Sequence, residues 1–126
     1  MANKYNAKKA VIKMPNGEAH TFDSQKEAKR YGELALLLRA GKIRNLKLQP
    51  QFTLQESYIS SDGDRVMAIR YTADFSYERA TVPDQNGDIW WVKVVDDVKS
   101  RASKTEAYEI RRRLLQERYG VTLQEV

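Results

Sequence analysis

One segment constrains this chain more than any other: Asp88-Ile89-Trp90-Trp91-Val92-Lys93-Val94-Val95-Asp96-Asp97-Val98-Lys99. Through its middle it is apolar at consecutive positions. A strand that faces water on one side alternates apolar and polar residues. A strand apolar on both sides has to sit inside a sheet. Residues 88–99 therefore predict a central strand, and the remaining elements have to be arranged around it. A chain of 126 residues has room for one such core and little for a second domain.

The flanking patterns supply those elements. Residues 9–14 and 18–22 surround Pro15-Asn16-Gly17, and Asn-Gly is the strongest short signal for a β-hairpin. Ser24 to Glu27 fits the Ser-x-x-Glu capping box, so a helix begins there and runs to about Ala40, stopped by Gly41. Its apolar stripe comprises Ala28, Tyr31, Leu34, Ala35 and Leu38. Leu46 and Leu48 alternate up to Pro50, and Phe52 and Leu54 open a strand that fades near Ser60. After the turn chemistry of Ser61-Asp62-Gly63-Asp64, residues 65–77 predict one long strand. Met67, Ile69, Tyr71, Ala73, Phe75 and Tyr77 would share one of its faces. Pro83 to Gly87 is a further turn region. In the central strand Trp90 and Trp91 point opposite ways, one of them expected in the core. A loop at 100–103 leads to a helix from about Lys104 to Tyr119, ended by Gly120, and residues 121–126 suffice for a last short strand. Hairpin, helix, three strands, helix, strand predicts an α/β fold, a mixed β-sheet flanked by two helices with an N-terminal β-hairpin.

Composition removes many chemistries. There is no cysteine, hence no disulfide, thiolate metal site or cysteine nucleophile, and the single histidine, His20, precludes a multi-histidine zinc centre within one chain. His20 itself is expected on the hairpin surface. No apolar run approaches the ~20 residues of a membrane span. Residues 1–9 carry no apolar stretch behind their lysines, so no secretory leader is expected. Twenty-two Lys and Arg against 17 Asp and Glu leave a net charge of +5, which favours a polyanionic partner such as nucleic acid. The basic residues crowd an N-terminal arm (Lys4, Lys8, Lys9) and the stretch from Lys99 to Arg118, with Lys104 and Arg111-Arg112-Arg113.

Three acids and a lysine stand out by position. Asp74 lies near the far end of an apolar strand. Asp97 and Lys99 are two apart on the next strand, so regular β backbone turns both to one face and Asp96 to the other. Glu27 shares a helical face with Tyr31, Leu34 and Leu38 and points inward. Carboxylates clustered this way suit a hard divalent cation such as Mg²⁺, which keeps several waters and needs only a few protein oxygens. Such a cation polarises a phosphoryl oxygen and acidifies a bound water. A neighbouring lysine can stabilise the charge that develops on phosphorus. The same residues also have plain structural readings. Glu27 is the N3 member of the capping box, Asp74 can end a strand, and Asp97 with Lys99 can form a surface pair worth under ~1 kcal/mol.

A Ser-x-x-Glu helix, a strand with an aspartate, an acid-x-lysine on the next strand, then helix and strand, resembles the PD-(D/E)xK nuclease superfamily. The chain is more closely similar to a family of phage and prophage proteins catalogued as a domain of unknown function. The stretches that carry this likeness are Lys4-Tyr5-Asn6-Ala7-Lys8-Lys9, residues 22–31, Leu48-Gln49-Pro50-Gln51-Phe52, residues 71–77, and residues 95–100. The order of motifs is also similar to that of phage endonucleases that resolve branched DNA. The resemblance implies a restriction-endonuclease-like αβββαβ core and a single nuclease-like domain over residues 1–126, with residues 1–22 as basic arm and hairpin. It implies a Mg²⁺- or Mn²⁺-dependent DNA endonuclease in which Asp74, Asp97 and Glu27 hold the metal and Lys99 completes the catalytic set. DNA, branched DNA above all, would lie against Lys8, Lys9, Lys104, Arg111, Arg112 and Arg113. It further implies a homodimer without membrane association, placed in the cytoplasm, that of the host cell if phage-encoded. Four positions depart from the family pattern. Ala73 stands where a proline is common, Asp97 is shorter than the usual glutamate, Ser100 replaces a frequent glycine, and Asp96 is a competing acid one register step away.

Overall fold

The computed structural model describes residues 9–13, 19–98 and 105–126. Strands β1 (Ala10–Lys13) and β2 (Ala19–Phe22) pair antiparallel, with Ala10 opposite Phe22. This is the expected hairpin, whose Asn-Gly turn lies outside the described residues. Helix α1 (Gln25–Arg39) starts where expected: Ser24 is extended, and its hydroxyl accepts the Glu27 N–H at 3.1 Å. Ala28, Tyr31 and Leu34 bury its inner face, but Leu38 is exposed, because no part of the core lies under the last turn.

The chain then lays down β3 (Ile43–Leu48), β4 (Gln51–Gln55) and β5 (Tyr58–Ile59), and returns as β6 (Arg65–Val66), β7 (Ile69–Thr72) and β8 (Phe75–Ala80). Register shows that these six form one bent hairpin. Leu48 faces Phe75, Gln51 faces Thr72 and Tyr58 faces Val66. The expected single strand over 65–77 is thus broken twice, and its residues do not share a face. Met67 and Ile69 are exposed, Tyr71 and Ala73 enter one core layer, and Phe75 and Tyr77 enter the other. The break lies where both arms of the hairpin bend. Gln49 adopts a left-handed φ of 49°, Pro50 has no N–H to give a ladder, and two bonds tie the arms across the bend. They run from Gln49 N–H to Asp74 O (2.8 Å) and from Ala73 N–H to Pro50 O (3.0 Å).

Strand β9 (Trp91–Asp97) starts three residues later than expected, since the Asp84 carboxylate holds the N–H groups of Asn86 and Asp88 in a loop. Helix α2 (Glu106–Tyr119) is capped by the Thr105 hydroxyl and ended by Gly120 at φ 62°, and β10 (Thr122–Glu125) follows. The main sheet runs β10-β9-β8-β3, mixed as expected, with β10 parallel to β9 and the other pairs antiparallel. β9 is central. Val94 packs into the α1 layer with Phe22, Tyr31, Leu34 and Phe75, and Val95 into the α2 layer with Leu54, Tyr71, Leu115 and Leu123. Full burial of such side chains contributes about 1.5–3 kcal/mol each. Neither tryptophan joins these layers. Trp90 is exposed, and Trp91, at the start of the strand, lies under the Arg44 guanidinium at 4.2 Å from the ring centre. Among the described residues no helix is long and apolar enough to cross a membrane.

Candidate active site at one end of the sheet

The acids gather where the bend in the long hairpin meets the end of the central strand. Phe75 pairs with Asp96 at the end of the β8–β9 ladder, so Asp74, the residue before β8, comes to the end of β9 that carries Asp97. Asp74 is pinned on three sides. Its N–H donates to Asp96 O (3.2 Å), its carbonyl accepts from Gln49, and its Oδ2 accepts the Val98 N–H at 2.6 Å. The aspartate read as ending a strand instead sits in the bend before one. Asp97 is 1% exposed, its carbonyl taking the Val126 N–H at 2.9 Å. Alternation turns it to the α2 layer, the side of Val95.

Asp96 turns the other way. Completely buried, its Oδ2 accepts from Arg30 Nε at 2.9 Å, and both its oxygens lie 3.1 Å from the Tyr77 hydroxyl. Arg30 also reaches Tyr77 Oη and Glu33. Burial raises the Asp96 carboxyl, against the pull of Arg30 and the Tyr77 hydroxyl. Burial, with Asp96 alongside, pushes the Tyr77 phenol up to about 12. Asp96 is therefore committed to tying α1 onto the sheet. The Arg30–Asp96 contact also brings the first turns of α1 to the acid end, and Glu27, 5% exposed, lies one turn before Arg30.

Sequence reasoning missed several neighbours. Glu125 of β10 stands beside Asp97 in parallel register. Tyr108 faces both: burial raises its phenol most, and the Asp97 and Glu125 charges add to it. Arg112 turns toward Glu109 (3.6 Å) and Glu125 (3.9 Å), while Arg111 and Arg113 point to solvent. That division follows from the 100° between successive helical residues. Glu125 had one possible signal, the parallel pairing forced by a helical crossover from β9 to β10, but its register cannot be read from so short a strand. Lys9 is exposed. Lys99, Lys104 and Lys8 lie outside the described residues. His20, read as a surface residue, is half-buried with its ring 4.5 Å from that of Phe22.

Chemically, Asp74 offers a carboxylate from the bend before β8 and Asp97 one from the end of the adjacent β9. Those are the donors of a hard, oxygen-seeking cation, and no thiolate or histidine cluster competes with them. Two such ligands fit Mg²⁺ or Mn²⁺ that keeps its waters. Among the described residues, no three His, Asp or Glu side chains converge into a ready-made metal cage. A family model described as a protein of unknown function (DUF1064) matches residues 2–125, and the chain belongs to that family. No curated protein and no solved structure matches it.

Proposed function

We propose that this member of the DUF1064 family is a metal-dependent DNA endonuclease of the PD-(D/E)xK type that hydrolyses phosphodiester bonds in branched DNA and works as a homodimer in the cytoplasm. The observation that supports the reading is that Asp74, just before β8, and Asp97, the last residue of β9, lie at the same end of two adjacent antiparallel strands, in a main sheet whose strands β3, β8 and β9 fall between α1 and α2 with β10 last. Asp74 and Asp97 would hold Mg²⁺ or Mn²⁺, with Glu27 of α1 as the third carboxylate of the set. Bound there, the ion would supply polarisation of the phosphoryl oxygen and acidification of a water nucleophile. The protein supplies position. The Val98 N–H and the bend at Gln49 fix Asp74, and burial under α2 fixes Asp97. Lys99 follows Asp97 at the acid-x-lysine spacing in the sequence, and its ammonium would offset the charge that develops on phosphorus.

Supercoiled plasmid incubated with Mg²⁺, Mn²⁺ or EDTA tests the activity, and a panel of linear, flapped and four-way DNA tests the substrate. Metal-dependent nicking with preference for four-way DNA is the expected result. The exposed cations of the two helices, Lys26 and Lys29 on α1 and Arg111 and Arg113 on α2, favour one alternative. They would equally serve a DNA-binding module that keeps this architecture without cleaving. It would bind the panel in EDTA as well as in metal and leave every substrate intact.

A further inference from the structure

A second feature lies at the same end of the sheet, on the α1 side. A cavity of about 170 Å³ is lined by Lys26, Lys29, Arg30, Glu33, Val98 and Val126. Its floor belongs to the candidate site. Val98 gives its N–H to the Asp74 carboxylate, and Val126 gives its own to the Asp97 carbonyl. Its wall is cationic. Lys26 and Lys29 are exposed and three apart, so they share one face of α1. The Arg30 guanidinium is held in place by Asp96, Tyr77 and Glu33. Its charge is therefore already answered, and it acts as a fixed wall. The two lysines, exposed, long and rotatable, can turn toward an anion in the cavity. Glu33 at the rim is the one acid in the lining, with half its side chain exposed.

Resting on the nuclease reading above, we infer that this cavity seats a backbone phosphate of the DNA strand being cut, held by Lys26 and Lys29, so that the strand enters over the first turns of α1. The geometry gives a reason for the route. An anion between Lys26 and Lys29 sits next to Val98, the residue bonded to Asp74, and beside Arg30, which is tied to Asp96. Glu33 opposes the anion and tunes its affinity. The outer face of α2, which carries Arg111 and Arg113, then holds DNA farther from the reacting bond.

The test is binding of fluorescein-labelled four-way DNA in EDTA, from 50 to 200 mM salt, with plasmid nicking in Mg²⁺ run separately. The double variant Lys26→Ala, Lys29→Ala should lower the slope of log affinity against log salt by about one unit, for the one phosphate that the pair no longer neutralises. Lys26→Arg with Lys29→Arg should keep the slope, which guards against a loss of fold. Glu33→Gln should tighten binding several-fold. If the alanine pair leaves the slope unchanged and Glu33→Gln does not tighten binding, the phosphate seat is wrong, even if the wild type nicks DNA. If the slope falls and Glu33→Gln tightens while no metal supports nicking, the seat stands and the nuclease reading fails.

Discussion

Three aspartates at one strand end have separate fates because a β-strand sends neighbours to opposite faces. Asp96 lies in the α1 layer against Arg30 and Tyr77, Asp97 on the side of the α2 layer, and Asp74 in the bend before β8, bonded to the Val98 N–H. Single neutralising substitutions separate them. Asp74→Asn and Asp97→Asn should each slow plasmid nicking by at least about 100-fold, the scale of removing one preorganised electrostatic interaction. Asp96→Asn should nick close to the wild-type rate per folded molecule. A reversed order, with Asp96 essential and Asp97 dispensable, would overturn the site. Tyr77 makes a pH prediction from the same cluster. Its phenol titrates at about 12 in the fold, above the ordinary value near 10. The folded state thus keeps a proton that the unfolded chain loses. The stability this provides is complete below pH ~10 and is lost as pH rises through about 12. Urea unfolding midpoints of Tyr77→Phe measured from pH 9 to 12 should decline less steeply than those of the wild type.

At the scale of elements, α1 carries a cap and a candidate ligand on the same turn, and the two roles can be pulled apart. Ser24→Ala should lower stability by about 1 kcal/mol in thermal melts with little change in nicking per folded molecule. Glu27→Gln should do the opposite, preserving the helix start while cutting nicking at least about tenfold. In α2, Arg111→Ala and Arg113→Ala should each lower the salt slope of DNA binding by about one unit. Arg112→Ala should leave it nearly unchanged, since that guanidinium faces Glu109 and Glu125. Caps, helix faces and the two-sided strand were legible because each leaves a local signal: Ser24 and Glu27, Gly120, and adjacent Val94 and Val95. The same logic put Asp74 and Asp97 in one region of the sheet. The bend at Asp74 was not legible. Tyr71, Ala73, Phe75 and Tyr77 alternate without a break, and nothing in that alternation records that the chain changes layer between Ala73 and Phe75. The cause lies some twenty residues earlier, at Gln49 and Pro50, in a partner strand that alternation cannot identify. Glu125 and the Arg30–Asp96 tie escaped for the same reason, since both depend on which elements meet.

At the scale of the whole molecule, a single chain leaves much apolar surface uncovered. Leu36, Leu37 and Leu38 are exposed at the end of α1, and Tyr58, Ile59 and Met67 are exposed on the far part of the long hairpin. Surface of this kind, if contiguous, is what an interface covers, and it accords with the proposed homodimer. A two-fold dimer carries two copies of the Asp74–Asp97 site, so one binding event on a branched plasmid can cut both strands. Mixing makes this testable. Wild type is unfolded together with increasing proportions of Asp74→Asn, refolded, and assayed on a plasmid that extrudes a four-way junction. If each dimer cuts with both of its sites, mixed dimers nick once and release open circles. The linear product should then fall faster than the fraction of wild-type chains, while open circles rise. If the chain acts as a monomer, both products fall together in proportion to the wild-type fraction, and the dimer is ruled out. Sedimentation of the wild type at the assay concentration supplies the independent check, because a dimer that cuts in pairs has to be present as a dimer before DNA is added or assemble on it.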